Sequence, residues 1–414
     1  MGTVSLEAQQ PLTLDEALRE ARSANAHLPI ASLGRDIARA QLREAQARLW
    51  PRLLLDGDAH AGTPQKYATS DARLQLIGVD TLYDGGRLRG NVAVARRQVT
   101  VAGAGYRVIE KDVELAVRLR FGEAGRAATE IAARRGGLAR LENYLALIQA
   151  RLAAGQGVSG DLLKTRARLA NEEANIADAQ RRLDEAEVEL NNLIGRDPRA
   201  PLLLAPLPSP PAPSLLLPDS MPGDTFPAPW LRTPDVRAAE ASLAIARANI
   251  GLARAERRPT LAVSADVGVM PVWGDTAGPA LLNNGRGFGA EVIFSLQLPL
   301  WDAGIYRARL GQAQLSHQVA EDSLTVVRRQ SQLEWSRAVA QLEDFYRVLL
   351  LRQRKVPLAR DAYLQAESLY RGGTGTALEV IDAYAAWIDA QLAEADADIA
   401  YRQAHAQLIR WGTP

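Results

Sequence analysis

The strongest constraint on what this 414-residue chain can fold into is a motif that occurs twice. The two copies, called the exit motifs below, are Leu82-Tyr83-Asp84-Gly85-Gly86-Arg87 and Leu300-Trp301-Asp302-Ala303-Gly304. Each ends a strand-like run, opens a long helix-like run and is followed by a turn, Gly155-Gln156-Gly157 or Gly373-Thr374-Gly375. The motif Asp and the last turn glycine are 73 residues apart in both copies, and the copies are 218 residues apart. The chain is therefore an internal duplication, and we expect its halves to fold alike.

Composition and charge exclude several classes of function. The chain carries 49 basic and 48 acidic residues, a net charge of +1, so it lacks the basic excess of a nucleic-acid-binding protein. It has no Cys, which excludes disulfides, thiol catalysis and thiolate metal sites. The four His residues show no paired ligand spacing; they are His27, His60, His317 and His405. No catalytic triad order or phosphate-binding glycine loop stands out, so we expect no enzyme, no metal and no cofactor.

The apolar runs of the sequence are short. None reaches the roughly 18 residues of a transmembrane helix, so no such helix is expected. The first residues, Met1 to Ser5, have neither the basic nor the apolar region of a signal peptide. Two expectations stay open: a cytoplasmic protein, or one whose signal has been removed and replaced by a start Met.

Helical and alternating patterns divide the chain into two repeats and a linker. The first repeat is 1–197, with a β-hairpin at about 52–82, a long helix at 87–154 and a return helix at 161–194. The proline-rich linker is 198–234, and its leucine triplets at 202–204 and 215–217 predict that it packs along a surface. The second repeat is 235–414, with a hairpin at about 260–298, a long helix at 305–370 and a return helix at 377–411.

Two shorter helices are predicted before the first hairpin. Leu14–Leu28 and Ile30–Leu49 have helical periodicity, and Pro29 between them predicts the break. Thr13 and Glu16 have the spacing of a capping box at the start of the first helix.

The strand-like runs alternate between apolar and polar positions, which is typical of strands with two different faces. The clearest run is 287–298, where Phe288, Val292, Phe294 and Leu296 alternate with Glu291, Ser295 and Gln297. If the strands belong to a membrane barrel, we expect the first set to face lipid and the second set to face the lumen.

Two interpretations of the four strands are open. They could form a half-buried sheet of a soluble protein, or they could be one chain's share of a transmembrane β-barrel. Four strands leave open edges, and helices as long as 87–154 need partners along their length. The long helices and the duplication therefore favour a barrel that several copies of the chain build together.

Over nearly its whole length the chain resembles the TolC-like outer membrane efflux proteins, the outer membrane factors. The resemblance rests on Trp50-Pro51, Arg258-Pro259, the two exit motifs, and the acidic starts Asp161-Leu162-Leu163 and Glu379-Val380-Ile381-Asp382 after the glycine turns. No single one of these motifs is specific for the family, but the order in which they occur, repeated twice along the chain, is specific. The resemblance implies an α+β membrane protein with an internal two-fold repeat. It further implies a homotrimer with a twelve-stranded transmembrane β-barrel, four strands per chain, and a long α-helical periplasmic barrel with the linker at its equator.

The resemblance also implies a function. Such proteins are passive exit ducts of tripartite efflux or type I secretion systems, joined to an inner-membrane transporter through a periplasmic adaptor. The implied partners are two further copies, the adaptor, the transporter and outer membrane lipid, without nucleic acid. The implied location is the bacterial outer membrane, with a large periplasmic part. The alternative is a soluble periplasmic coiled-coil scaffold or adaptor protein, which explains the helices but not the symmetrically placed strands.

Acidic residues after the second glycine turn are the candidate gate. In the family the periplasmic end narrows to an aperture lined by acids at this place, and Glu379 and Asp382 match those positions. Asp161 is the weaker counterpart in the first repeat, and Tyr370 and Arg371 are candidate partners of the aperture acids. The alternative is an ordinary solvated helix start, where acidic side chains are favoured by the helix dipole.

The two glycine turns are the candidate docking surface for the adaptor. The resemblance to the family's tip motif covers Arg151, Leu152, Gly155, Gly157, Gly373 and Gly375. The alternative is that the glycines only terminate the long helices.

Overall fold

The computed structural model describes residues 11–62, 69–155, 158–213, 229–273 and 286–410. Its helices are α1 (Leu14–Ala24), α2 (His27–Ala47), α3 (Arg87–Ala153), α4 (Ser159–Ile194), α5 (Pro234–Ala255), α6 (Ile305–Arg371) and α7 (Ala377–Arg410). Its strands are β1 (Arg52–Gly62), β2 (Thr69–Tyr83), β3 (Thr260–Trp273) and β4 (Arg286–Gln297). In the part of the chain that is described, no helix is both long enough and apolar enough to cross a membrane.

The chain folds into two compact units. The helical unit is drawn from 1–32, 106–236 and 328–414, and the sheet unit from 33–105 and 237–327. Each unit combines segments of both sequence repeats, because α3 and α6 contribute to both. The duplication therefore does not correspond to two separate compact bodies.

The sheet unit contains one antiparallel sheet in the order β1-β2-β3-β4. Each hairpin supplies two adjacent strands, and β2 pairs with β3, so both repeats share one sheet. Among the described residues, β1 and β4 each pair on one side only, which leaves two open edges.

The two faces of this sheet differ in polarity. Leu55, Leu76 and Val267 lie opposite one another on one face, whereas Asp266 pairs with Glu291 on the other. The apolar face carries side chains that are exposed in the single chain: Leu53, Leu55, Leu74, Leu76, Val292, Phe294 and Leu296. The side chain of Phe288 lies outside the described ones. An exposed apolar face of this kind requires cover by lipid or protein.

Both exit motifs begin their long helix with the same hydrogen bonds. In each, the Asp carboxylate accepts from main-chain N–H groups two and four positions later. For Asp302 the donors are Gly304 at 3.1 Å and Tyr306 at 2.6 Å, and for Asp84 the first of these bonds is 2.8 Å. The bond from Tyr306, helped by the one from Gly304, lowers the pKa of Asp302. The repeated motif is therefore a strand-to-helix junction in which a carboxylate satisfies helix-start N–H groups.

The break between α1 and α2 lies before Pro29, so its predicted position was wrong. Asn25 ends α1, and its side chain donates to the main-chain oxygen of Leu193 and accepts from the N–H of His27, both at 2.9 Å. Pro29 instead lies in the first turn of α2, where a missing N–H costs no helical hydrogen bond.

The linker packs on the helical unit at its first leucine triplet, as predicted. Leu204 bridges to Leu12, and Leu202 and Leu204 pack against the buried cluster that contains Phe121. The second triplet, 215–217, lies outside the described residues.

Candidate functional site at the tip

The turns that follow α3 and α6 lie together in the helical unit. Gly155 has φ +73° and Gly373 has φ +80°, the left-handed conformation that commonly ends a helix and that favours glycine. The N–H of Gly155 donates to the oxygen of Leu152 at 3.0 Å and so closes the last turn of α3. Gly157 lies outside the described residues. The tip, as the term is used below, comprises residues 144–155, 158–165 and 363–384.

The second turn is tightly packed on its own helix. The N–H groups of Thr374 and Gly375 both lie 3.1 Å from the oxygen of Leu369. A Cβ at Gly375 would lie only 2.9 Å from the nitrogen of Tyr370, so this position has no room for a side chain. Gly373 is thus required by its backbone angle and Gly375 by space.

Arg151 connects the two turns. Its Nη2 donates to the main-chain oxygen of Arg371 at 2.9 Å, and its guanidinium carbon lies 4.6 Å from the centroid of the Tyr370 ring. The Tyr370 ring packs edge-on against Tyr144, with centroids 5.1 Å apart, and both tyrosines are buried. Burial, with Tyr370 nearby, raises the pKa of Tyr144, so this hydroxyl stays neutral at physiological pH. The turns are therefore joined by an aromatic pair under a cation.

A second aromatic layer lies next to this one, between α3, α6 and α7. Tyr363 stacks on Trp387 with centroids 5.5 Å apart, and Arg140 lies 4.6 Å from the Trp387 centroid. A Cβ at Gly137 would collide with Tyr384, so the glycine makes room for this ring in the core. Burial, with Glu367 nearby, raises the pKa of Tyr363 to about 12.

Of the predicted aperture acids, Glu379 and Asp161 lie in the first turns of the return helices and Asp382 lies in the second turn of α7. Glu379 accepts from the N–H of Thr376 at 2.9 Å and donates its own N–H to the Thr376 hydroxyl at 3.3 Å, which is a capping box. Asp382 is exposed three residues further on, hence on the same face as Glu379. Asp161 is half-buried in the first turn of α4, where Val158 offers no side-chain cap. Glu379 therefore has a structural role as a helix cap, and its role at an aperture stays a prediction.

The predicted partners of these acids make other contacts in the single chain. Arg371 Nη2 lies 2.5 Å from Glu367 Oε1, and Tyr370 is covered by Arg151. No contact of Arg371 or Tyr370 with Glu379 is present within the described part of one chain. Their role at an aperture stays a prediction that requires neighbouring copies.

Sequence reasoning missed a buried ion network in the middle of the helical unit. Glu172 is fully buried and lies 2.9 Å from both Arg134 and Arg168. Glu130 is nearly as buried and pairs with Arg134 and Arg182, each at 2.9 Å. Two of these pairs, Glu130–Arg134 and Arg168–Glu172, are four residues apart in sequence and resemble ordinary solvated helix pairs. The other two connect α3 to α4, and neither that contact nor the burial is visible in the sequence. Among the residues that can be placed, no cluster of three metal-ligating side chains occurs.

Comparison with known proteins identifies the family. The family model described as "Outer membrane efflux protein" matches residues 17–196 and 230–411, which is most of the chain. The chain belongs to the outer membrane efflux protein family, and it is accordingly an outer membrane protein of the TolC-like channel class. That class consists of channel proteins. The expectation that the chain is not an enzyme is consistent with membership of this class.

Individual relatives are distant. Protein CyaE of Bordetella pertussis is 28% identical over 314 residues, 75% of this chain and 64% of CyaE, so the chain spans less than two thirds of that relative. The cation efflux system protein CusC of Escherichia coli K12 is 24% identical over 369 residues, 88% of this chain and 79% of CusC. A crystal structure of CusC superposes with a TM-score of 0.83 at 22% identity, covering 97% of this chain and 92% of that one. The predicted fold class, long helices with a four-stranded sheet, is confirmed.

Proposed function

We propose that the chain forms a homotrimeric outer membrane channel that acts as the passive exit duct of a tripartite efflux or type I secretion system. The observation that carries the proposal is the four-stranded sheet, with one apolar face, one polar face and open edges at β1 and β4. Within a bilayer, open edges must be closed by pairing. Pairing β4 of one copy with β1 of the next, three times over, gives a closed twelve-stranded barrel with its apolar face toward lipid.

The tip is proposed as the docking surface for a periplasmic adaptor. The surface consists of Arg151, Leu152, Gly155, Gly157, Gly373 and Gly375. A Cβ at Gly155 or Gly373 would have no neighbouring atom within 4 Å, so there is open space next to the backbone at these two positions. The contact between Arg151 and Tyr370 holds the two turns side by side, which supports a single composite surface.

The acids of the tip are proposed as the aperture. Threefold repetition of Glu379 and Asp382 produces rings of carboxylates, with Asp161 beside them and Tyr370 and Arg371 as partners. A ring of carboxylates in a narrow passage attracts cations and repels anions. The exposure of Glu379 and Asp382 in the single chain supports this role.

A soluble scaffold or adaptor is the competing proposal. It is disfavoured because the family match includes the strands as well as the helices. Reconstitution of detergent-extracted protein into planar bilayers separates the two. A channel gives stepwise single-channel conductance, whereas a scaffold is released from membranes without detergent and gives no conductance.

A further inference from the structure

The helical unit carries a basic surface on α6, where Arg347 lies 3.6 Å from Asp344 and the other cations have no ion-pair partner among the described residues. Between 347 and 360 the helix has five basic residues and no acidic one. Arg352, Arg354 and Lys355 are exposed, and in the described part of the chain none of them has a carboxylate within ion-pair distance. Two leucines lie among these cations, seven residues apart and strongly exposed: Leu351 at 60% and Leu358 at 69%. Seven-residue spacing of exposed leucines is typical of a helix that packs against another helix. The basic face comprises Arg347, Leu351, Arg354, Lys355 and Leu358.

An acidic surface on α4 is complementary in charge to the basic face of α6. From 172 to 189 the helix has seven acidic residues and two basic ones. Several of these acids already have internal partners, such as Glu189 with Arg120 at 2.6 Å. Asp184 and Glu187 have no cationic partner in the described residues. Partial burial, together with the nearby Asp184, raises the pKa of Glu187. A neighbouring cation would stabilise the charged carboxylate and lower this pKa again. The acidic face comprises Ala177, Gln180, Asp184 and Glu187, which lie on one side of the helix.

Contacts between neighbouring helices of the unit show which residues of α6 and α4 lie at the same height along the helix axes. Tyr346 of α6 packs against Tyr401 of α7, with ring centroids 5.3 Å apart. Two residues earlier in α7, Ile399 lies 3.5 Å from the place that a Cβ at Gly122 of α3 would take. Two residues before that glycine, Arg120 pairs with Glu189 of α4. Residue 346 of α6 and residue 189 of α4 therefore lie at the same height along the helix axes.

Contacts near the other end of each face relate the heights of α6 and α4 a second time. Tyr363 of α6 stacks on Trp387 of α7, and Arg140 of α3 lies over the same ring. Six residues earlier in α3, Arg134 pairs with Glu172 of α4 at 2.9 Å. Position 140 of α3 is therefore level with about position 166 of α4, six residues before Glu172, and the stretch 346–363 of α6 spans the heights of about 166–189 of α4. Arg347 and Arg354 accordingly lie at about the heights of Glu187 and Gln180.

We infer that the basic face of α6 packs against the acidic face of α4 in a second copy of the chain. The inference rests on the proposed homotrimer. Rotation about an axis parallel to the helices does not change the height of any residue along that axis. Two faces that meet across such an interface must therefore lie at the same height, and the basic and acidic faces do. The two faces are different surfaces, so the contact is heterologous and closes into a ring instead of a two-fold dimer. Ala177 leaves space for a leucine such as Leu358 from the neighbour, and the charges fix the register of the contact.

Disulfide cross-linking tests this contact directly, because the native chain has no Cys. The variant Arg354→Cys/Gln180→Cys should give covalent dimers and trimers on non-reducing gels after mild oxidation. The control Leu369→Cys/Gln180→Cys keeps one position and moves the other fifteen residues, about 22 Å, along α6. It should stay monomeric, as should each single-Cys variant. If the native protein is trimeric by light scattering and the first pair forms no bond between chains, or only a bond within one chain, the inference is wrong. If the native protein is not a trimer, the proposed function fails first and the inference with it.

Charge exchange provides the second test. Arg347→Glu/Arg354→Glu and Asp184→Arg/Glu187→Arg should each lower the temperature at which the trimer dissociates in detergent. The quadruple variant should recover most of the loss, because opposite charges again meet. If the two losses simply add in the quadruple variant, the faces do not meet.

Discussion

The guanidinium of Arg151 lies 4.6 Å from the centre of the Tyr370 ring and joins the end of α3 to the end of α6. Arg151→Ala removes this contact and the hydrogen bond to the oxygen of Arg371, for a local loss of about 1–2 kcal/mol. We expect amide exchange at Thr374 and Gly375 to become roughly tenfold faster or more. Arg166→Ala, an exposed Arg of the neighbouring helix, is the control and should leave both amides unchanged. Equal protection in the two variants would show that Arg151 does not hold the turns together.

The buried ion network is tested by two adjacent glutamates. Glu172→Ala leaves Arg168 without its buried carboxylate and Arg134 with Glu130 alone, and it should destabilise the helical unit by about 3–5 kcal/mol. Glu173→Ala changes an exposed neighbour on the same helix and should cost less than about 0.5 kcal/mol. Chemical unfolding followed by circular dichroism measures both. Similar losses would contradict the assigned burial of Glu172.

A pH dependence is expected from His405. Burial, with Arg118 and Arg402 nearby, lowers the pKa of this His below its ordinary value of 6.5. The neutral form therefore stabilises the fold above that pH, and the contribution is lost as pH falls through the folded-state pKa. His405→Gln should reduce the difference in unfolding temperature between about pH 7.5 and about pH 5.5. His27→Gln, at an exposed position, should not. An unchanged difference in the His405 variant would show that this His does not titrate with folding.

The apolar face of the sheet is expected to contact lipid. Val292→Arg places a charge on that face and should destabilise the folded protein in lipid by about 2–4 kcal/mol if the position is near mid-bilayer. Ser295 pairs with Ala262 on the opposite face, so Ser295→Arg should be tolerated. Folding into lipid vesicles compares the two. Equal tolerance would contradict the assignment of the faces.

The aperture proposal predicts a change in ion selectivity without loss of fold. In Glu379→Gln/Asp382→Asn the charges are removed, but Gln at position 379 can still accept from the Thr376 N–H in the capping box. Cation preference and block by multivalent cations should both weaken in single-channel recordings. Glu173→Gln/Asp178→Asn is the matched control, with two exposed acids removed from α4. Parental selectivity in the first variant would place Glu379 and Asp382 away from the constriction.

Local patterns in the sequence predicted local structure well. The capping box of Thr13 and Glu16 is present, and the alternation at Val292 and Phe294 corresponds to one sheet face, because each depends on residues a few positions apart. Pro29 misled because proline is also tolerated in a first helical turn, and Asn25 supplies the actual break.

Contacts between distant residues could not be predicted in the same way. Nothing near Arg151 in sequence indicates Tyr370, 219 residues later, and nothing near Glu172 indicates that its side chain is fully buried. The acids Glu379 and Asp382 were chosen through family resemblance. In one chain both are exposed and Glu379 caps α7, so the aperture role is left to experiment.

The mass of the protein extracted from outer membranes in detergent tests the central claim most directly. Light scattering corrected for bound detergent should give a particle of three chains, because two open sheet edges per chain are closed in a ring of three. A particle containing a single chain, stable in solution without detergent, would contradict the trimeric barrel and with it the proposed channel.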